Sequence, residues 1–135
     1  MTKNIHTFSK SQRLKSRKKL QHIFAEGKSV RTEKVRLVYL NERTGVADVK
    51  CGVGLTTKHF KKAVDRNRIK RLLREAYRLQ QRPLNNYIAQ TETSLSIFLL
   101  YTGKDLPEYT LLYENVEVAL RKLLKALHAS SIENT

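Results

Sequence analysis

Apolar positions recur along the chain with two different periods. Leu20, Ile23 and Phe24 fall at i, i+3 and i+4. That is one narrow face of a helix over about 17–26, with Ser16 placed to cap its start and Gly27 to end it. Val35, Leu37 and Tyr39 then alternate with Arg36, Val38 and Leu40, which predicts a strand over 35–41 with one plainly apolar face and one mixed face. Thr44-Gly45 marks a turn before a second strand over 50–57. Cys51, Val53 and Leu55 share one side of it, and Gly52 and Gly54 leave the other side bare for another element to approach closely. A helical period returns from Lys61 or Asp65 to Gln81, with Pro83 as its stop. Leu84 to Ser94 has no strong period and is read as a loop. Leu95 to Tyr101 has the look of a buried strand, ended by Thr102-Gly103. Leu112, Val116, Ala119, Leu120, Leu123, Leu124 and Leu127 form the stripe of a last helix, opened by Pro107-Glu108 and reaching about Ala129.

Composition sets the bounds. Of 135 residues, 40% are apolar, enough for one domain with a small core. The longest apolar run, Ile97 to Tyr101, is far short of the ~18 residues a spanning helix needs. Met1 to Lys19 is basic without an apolar stretch, so no secretory signal is read. The single Cys51 excludes an internal disulfide framework and a cysteine-based zinc site, and points to a reducing, cytoplasmic setting.

Charge is distributed very unevenly along the chain. The net charge is +15, and it lies in two blocks. Residues 1–36 carry 11 basic and 2 acidic side chains and residues 58–82 carry 10 and 2, whereas residues 83–135 carry 4 and 6. Basic blocks of this size favour a polyphosphate partner, because Lys and Arg release the counterions condensed on nucleic acid. A membrane surface fits less well, since neither block carries a wide apolar face with aromatic anchors.

The second block shows how such a partner is met. Residues 61–82 read KKAVDRNRIKRLLREAYRLQQR. On a wheel of about 100° per residue, Leu72, Leu73 and Ala76 cluster around Ile69, while Asn67, Lys70, Arg71, Arg74 and Arg78 take the reverse face, flanked by Arg66 and Arg68. Arg66, Lys70, Arg74 and Arg78 repeat at i+4, where like charges repel, and only Asp65 and Glu75 offset them. A phosphate backbone reverses that sign, and arginine can grip phosphate with both prongs of its fork. The strand and loop before this helix are wrong for a helix-turn-helix, and the deep major groove of A-form RNA excludes a helix. Folded RNA, met through backbone and shape, is the expected partner.

The run Ala63-Val64-Asp65-Arg66-Asn67-Arg68-Ile69-Lys70-Arg71-Leu72-Leu73-Arg74-Glu75-Ala76-Tyr77-Arg78 closely resembles the signature of the protein-subunit family of bacterial ribonuclease P. Arg13-Leu14, Leu20 to Phe24 and Gly27-Lys28-Ser29 resemble its entry segment and first helix, and Val53-Gly54-Leu55 the strand leading into the signature. The resemblance is close over about 10–82 and one of pattern over 95–129. It implies an α/β (α+β) sandwich, with a mixed central sheet of about four strands, three helices and a left-handed β-α-β crossover. Periodicity alone would favour the right-handed form. The expected domain is single, 1–135, with flexible ends at 1–12 and 130–135.

The resemblance also implies a function. The RNA subunit of this endonuclease carries the catalytic centre and holds the Mg²⁺, while the protein binds that RNA and the 5′ leader of precursor transfer RNA. Arg66, Asn67, Arg68, Lys70, Arg71 and Arg74, with Lys61 and Lys62, would face the RNA subunit. Leu20, Phe24, Lys58 and a strand residue, Val38 or Tyr39, would face the leader. The chain departs from the family pattern where Leu20 replaces a common aromatic, where Lys58-His59-Phe60-Lys61-Lys62 lacks a Gly-Asn pair, and where Thr102-Gly103-Lys104 replaces an Arg.

No other chemistry competes. His6, His22, His59 and His128 show no metal-ligand spacing, and the Ser and Asp residues form no nucleophile elbow. The acids among the basic blocks are dispersed, unlike the clustered carboxylates of a protein-only nuclease. No protein catalytic residue, protein metal site or small-molecule cofactor is expected. The alternative is a ribosome-associated or structural RNA-binding protein without a catalytic partner.

Overall fold

Ser16 lies in extended backbone, and its hydroxyl accepts from the Lys19 amide at 3.3 Å, which starts α1 (Arg17–Glu26). The structure, a computed structural model, describes residues 12–14, 16–56 and 58–133, the last three by backbone alone. Gly27 ends α1 with its amide on the Ile23 carbonyl. A Cβ there would collide with the carbonyl oxygens of Ile23 and Tyr39, so only glycine lets the chain turn at once into β1 (Lys28–Arg31). β1 is short and mostly exposed, with no apolar alternation to announce it. Pairing with β2 (Val35–Glu42) is what makes it a strand.

β3 (Asp48–Leu55) and β4 (Ser94–Tyr101) complete a four-stranded sheet of order β1-β2-β4-β3. β3 and β4 are parallel and adjacent, the other pairs antiparallel, so the sheet is mixed as expected. The crossover between β3 and β4 runs through α2 (Ala63–Gln80) and α3 (Arg82–Thr91).

α3 corrects the expectation of a loop after Leu84 and makes the described helices four rather than three. Pro83 occupies its first turn, where a missing amide costs nothing, so the residue read as a stop is a start. Leu84 and Ile88, one turn apart and buried, anchor it. α3 ends at Glu92 in the left-handed region (φ 55°, ψ 41°), with its amide on the Ile88 carbonyl. α4 (Tyr109–Glu133) carries the predicted stripe and runs past Ala129, through positions expected to begin a tail. Of the ends expected to be flexible, residues 1–11 and 134–135 lie outside the described residues.

Period-2 alternation divides the sheet between two cores. Val35, Leu37, Tyr39, Cys51, Val53, Leu95, Ile97, Leu99 and Tyr101 face α2, α3 and α4 in the larger one. On the other face Leu14, Ile23 and Val38, with Leu20 and Leu40, form a smaller cluster beneath α1. The Leu14 amide bonds the Cys51 carbonyl at 2.9 Å, holding the entry segment along β3. Asn115 of α4, buried, accepts from the Thr32 hydroxyl at 2.7 Å and the Lys34 amide at 2.8 Å, and so ties the β1–β2 turn to the helical layer. Burial drives the Cys51 thiol well above its ordinary range, which leaves it a small core residue.

Candidate nucleic-acid interface

Ile69, Leu73, Ala76 and Tyr77 are buried and fix the rotation of α2 on the sheet; Leu72 lies at the margin, half-buried. This turns the opposite side outward. Asn67, Arg68 and Arg71 are exposed there, and Lys70 and Arg74 half-exposed. Val64, Asn67, Arg68, Arg71 and Arg74 line a groove of about 620 Å³ along the helix.

The cations of this face are mostly free of carboxylates. Among the described residues the ion pairs are Lys19–Glu42, Lys50–Asp48, Arg78–Glu75 and Arg121–Glu117. Arg78 alone of the α2 cations is therefore neutralised, by two bonds to Glu75 of 3.0 and 2.6 Å. The same bonds hold the Glu75 carboxyl below its ordinary range. Arg66 has a different task. Its guanidinium donates to the Phe60 and Lys61 carbonyls at 3.0 and 2.7 Å, pinning the segment before the helix. Lys58, His59, Lys61 and Lys62 are exposed on that segment, next to helix amides that the Lys62 side chain does not cap.

A second surface lies across the sheet from α2. Phe24, 47% exposed on α1, meets Phe98 of β4 edge-on, with ring centroids 5.5 Å apart and planes at 67°. The Phe98 ring rests on the glycine face of β3. A Cβ on Gly52 or Gly54 would fall 2.9 or 2.6 Å from its atoms. Phe98 is thus the element that the bare glycine face admits. Spacing alone does not single out Phe98, although Gly52 stands in register with it in the β3–β4 ladder.

The structure separates the residues expected at the leader. Phe24 is at the surface and Lys58 is exposed before α2. Leu20 is half-buried and packs into the smaller core. Val38 and Tyr39 point to opposite faces, as neighbours in a strand must. Val38 lies on the α1 side, covered by Leu14 and Ile23, and Tyr39 belongs to the larger core on the far side, which removes it from the α1 surface. Among the described residues no three His, Cys, Asp or Glu side chains gather as a metal site. No described helix is long and apolar enough to cross a membrane.

In sequence and in fold the chain is similar to known proteins. The sequence model of the family described as Ribonuclease P matches residues 8–127. The ribonuclease P protein component of Porphyromonas gingivalis strain W83 is 32% identical over 127 residues, covering 93% of both chains. The solved RNase P protein of Staphylococcus aureus superposes with a TM-score of 0.63 at 19% identity, over 84% of this chain and 96% of that one. That of Thermotoga maritima gives 0.57 at 22%, over 81% and 96%. At these identities the two structures establish the fold, while the family match and the relative extend along nearly the whole chain. The chain belongs to the ribonuclease P protein family.

Proposed function

We propose that this chain binds the catalytic RNA of ribonuclease P through the outer face of α2 and the 5′ leader of precursor transfer RNA through the surface between Phe24 and Phe98. Membership of the family makes it a component of an endoribonuclease that is a ribonucleoprotein. The observation that carries the division of surfaces is the cationic face of α2. Arg68, Lys70, Arg71 and Arg74 have no carboxylate within ion-pair distance among the described residues, while the helix's other side is locked in the core. A helix folded for its own stability would intersperse acids on that face. With Asn67 at its side, this row suits a phosphate backbone of fixed shape.

The α1 surface suits a single strand. Aromatic faces at Phe24 and Phe98 stack on bases without regard to sequence, as an unspecific leader requires. Lys58, on the segment before α2, adds a cation for its phosphates. Asp65 and Glu75 are the acids of α2, and Glu75 is engaged by Arg78, which supports a reading in which the RNA rather than the protein holds Mg²⁺. Metal and bond cleavage are assigned to the RNA, and the protein's part is to bind and orient. Partners of this kind place the chain in the cytoplasm.

The test mixes the protein with a bacterial ribonuclease P RNA and precursor transfer RNA at low magnesium. Cleavage faster than with the RNA alone is expected. An unchanged rate contradicts the reading.

A further inference from the structure

Arg31 of β1 and Arg36 of β2 are directly opposed across an antiparallel pair. Like charges so placed repel at close range, and a sheet gains nothing from them by itself. Neither has a carboxylate within ion-pair distance among the described residues. The Arg36 side chain is half-buried, and its Nε is buried with no hydrogen-bond acceptor. A buried guanidinium nitrogen left unpaired is costly and calls for a partner. On the opposite side the Lys122 ammonium of α4 donates to the Arg31 main-chain carbonyl at 2.8 Å and so holds the β1 edge in place.

Register fixes where the pair lies. Arg31, Arg36, Leu100 and Gly54 form one row across the sheet, on the face that carries α1. The next row is Ser29, Val38, Phe98 and Gly52. α1 closes over Val38 with Leu14 and Ile23, whereas Leu100 and Arg36 stay half-exposed and Arg31 exposed. The two arginines are therefore one step along the sheet from the Phe24–Phe98 contact, on the same floor.

We propose that Arg31 and Arg36 together bind a backbone phosphate of the single-stranded leader beyond the bases that stack at Phe24 and Phe98. The proposal rests on the reading of the α1 surface as the leader site. A phosphodiester supplies what the pair lacks: an anion that cancels the cross-strand repulsion and an acceptor for the forked guanidinium groups. Flexible single-stranded RNA can follow the sheet floor past the half-exposed Leu100 and Arg36, where a duplex cannot. Contact of the pair with the catalytic RNA instead of the leader would count against the proposal.

The experiment uses holoenzyme reconstituted with a bacterial ribonuclease P RNA, and compares precursor transfer RNAs with short and long leaders. Replacing both residues (Arg31→Met with Arg36→Met) should weaken binding of the long-leader substrate by about tenfold or more, without a matching loss on the short-leader one. It should also reduce the salt dependence of that binding by about one ion. Neutral methylphosphonate linkages along the leader should weaken the natural protein at one position and leave the double variant indifferent there. Arg36→Lys, which keeps the charge, should retain part of the effect. Arg31→Met alone, at an exposed edge, serves if Arg36 variants fold poorly.

An equal loss on both substrates, or a loss that tracks affinity for the catalytic RNA, overturns the proposal. So does no loss at all while Phe24→Ala keeps a leader-dependent defect; the leader reading then survives without the pair. If Phe24→Ala shows no leader dependence either, both fall.

Discussion

Phe24 and Phe98 touch edge to face at 5.5 Å across the gap between α1 and the sheet, and the Phe98 ring lies on two glycines of β3. Three separate sequence features meet there: the apolar face of α1, the bare face of β3 and the alternation of β4. Phe24 closes this contact while keeping nearly half its surface in solvent. A core residue of its size is normally covered, so its exposure favours a binding role over packing.

Phe24→Ala should weaken the holoenzyme's affinity for long-leader substrates by about 1–3 kcal/mol, the scale of one base–aromatic stack. Binding measured against leaderless transfer RNA isolates the effect. Equal losses for both would reduce Phe24 to packing.

Gly54→Ala should push the Phe98 ring aside, since the new methyl carbon would stand 2.6 Å from it. A destabilisation of about 1–3 kcal/mol is expected, read from urea unfolding. Combining it with Phe98→Ala should cost less than the sum of the two changes. Strict additivity would show that ring and glycine do not interact.

Arg68→Ala and Arg78→Ala should differ. Arg68 is exposed and without a carboxylate, so its loss should weaken assembly with the RNA subunit by about 1–3 kcal/mol. Arg78 is already satisfied by Glu75 and should cost clearly less. Filter-binding titrations at fixed salt compare them, and equal losses would mean that the internal ion pair does not govern which arginines serve the RNA.

Leu73→Ala, at a fully buried position of α2, should lower stability by about 2–5 kcal/mol in urea unfolding. At temperatures where the variant remains folded, RNA-subunit affinity should fall little, because the outer face is untouched. A large affinity loss in the folded variant would mean that the two faces are not independent.

Much of this was legible because burial leaves periodic traces. The faces of α2, β2 and α4 followed from spacing, and Ser16 and Gly27 marked both ends of α1 by local chemistry. What escaped depends on distant partners. β1 has no apolar alternation and exists through its ladder with β2. α3 carries Leu84, Tyr87 and Ile88 at i, i+3 and i+4, the same spacing that marks α1, but Pro83 can end one helix or begin the next and so hides its start. Spacing could not choose between Val38 and Tyr39, since only the position of α1 says which sheet face is which. Phe98 and the opposition of Arg31 and Arg36 became visible only once the register of the sheet was known.

The proposed division of surfaces requires α2 to bury one side in the core and to grip phosphate with the other. The most direct test is the salt dependence of assembly with the RNA subunit, compared between the natural protein and a variant carrying Arg68→Ala, Arg71→Ala and Arg74→Ala. The slope of log affinity against log salt should fall by about 2–3 with the fold intact by circular dichroism. An unchanged slope and affinity in a folded variant would contradict the claim.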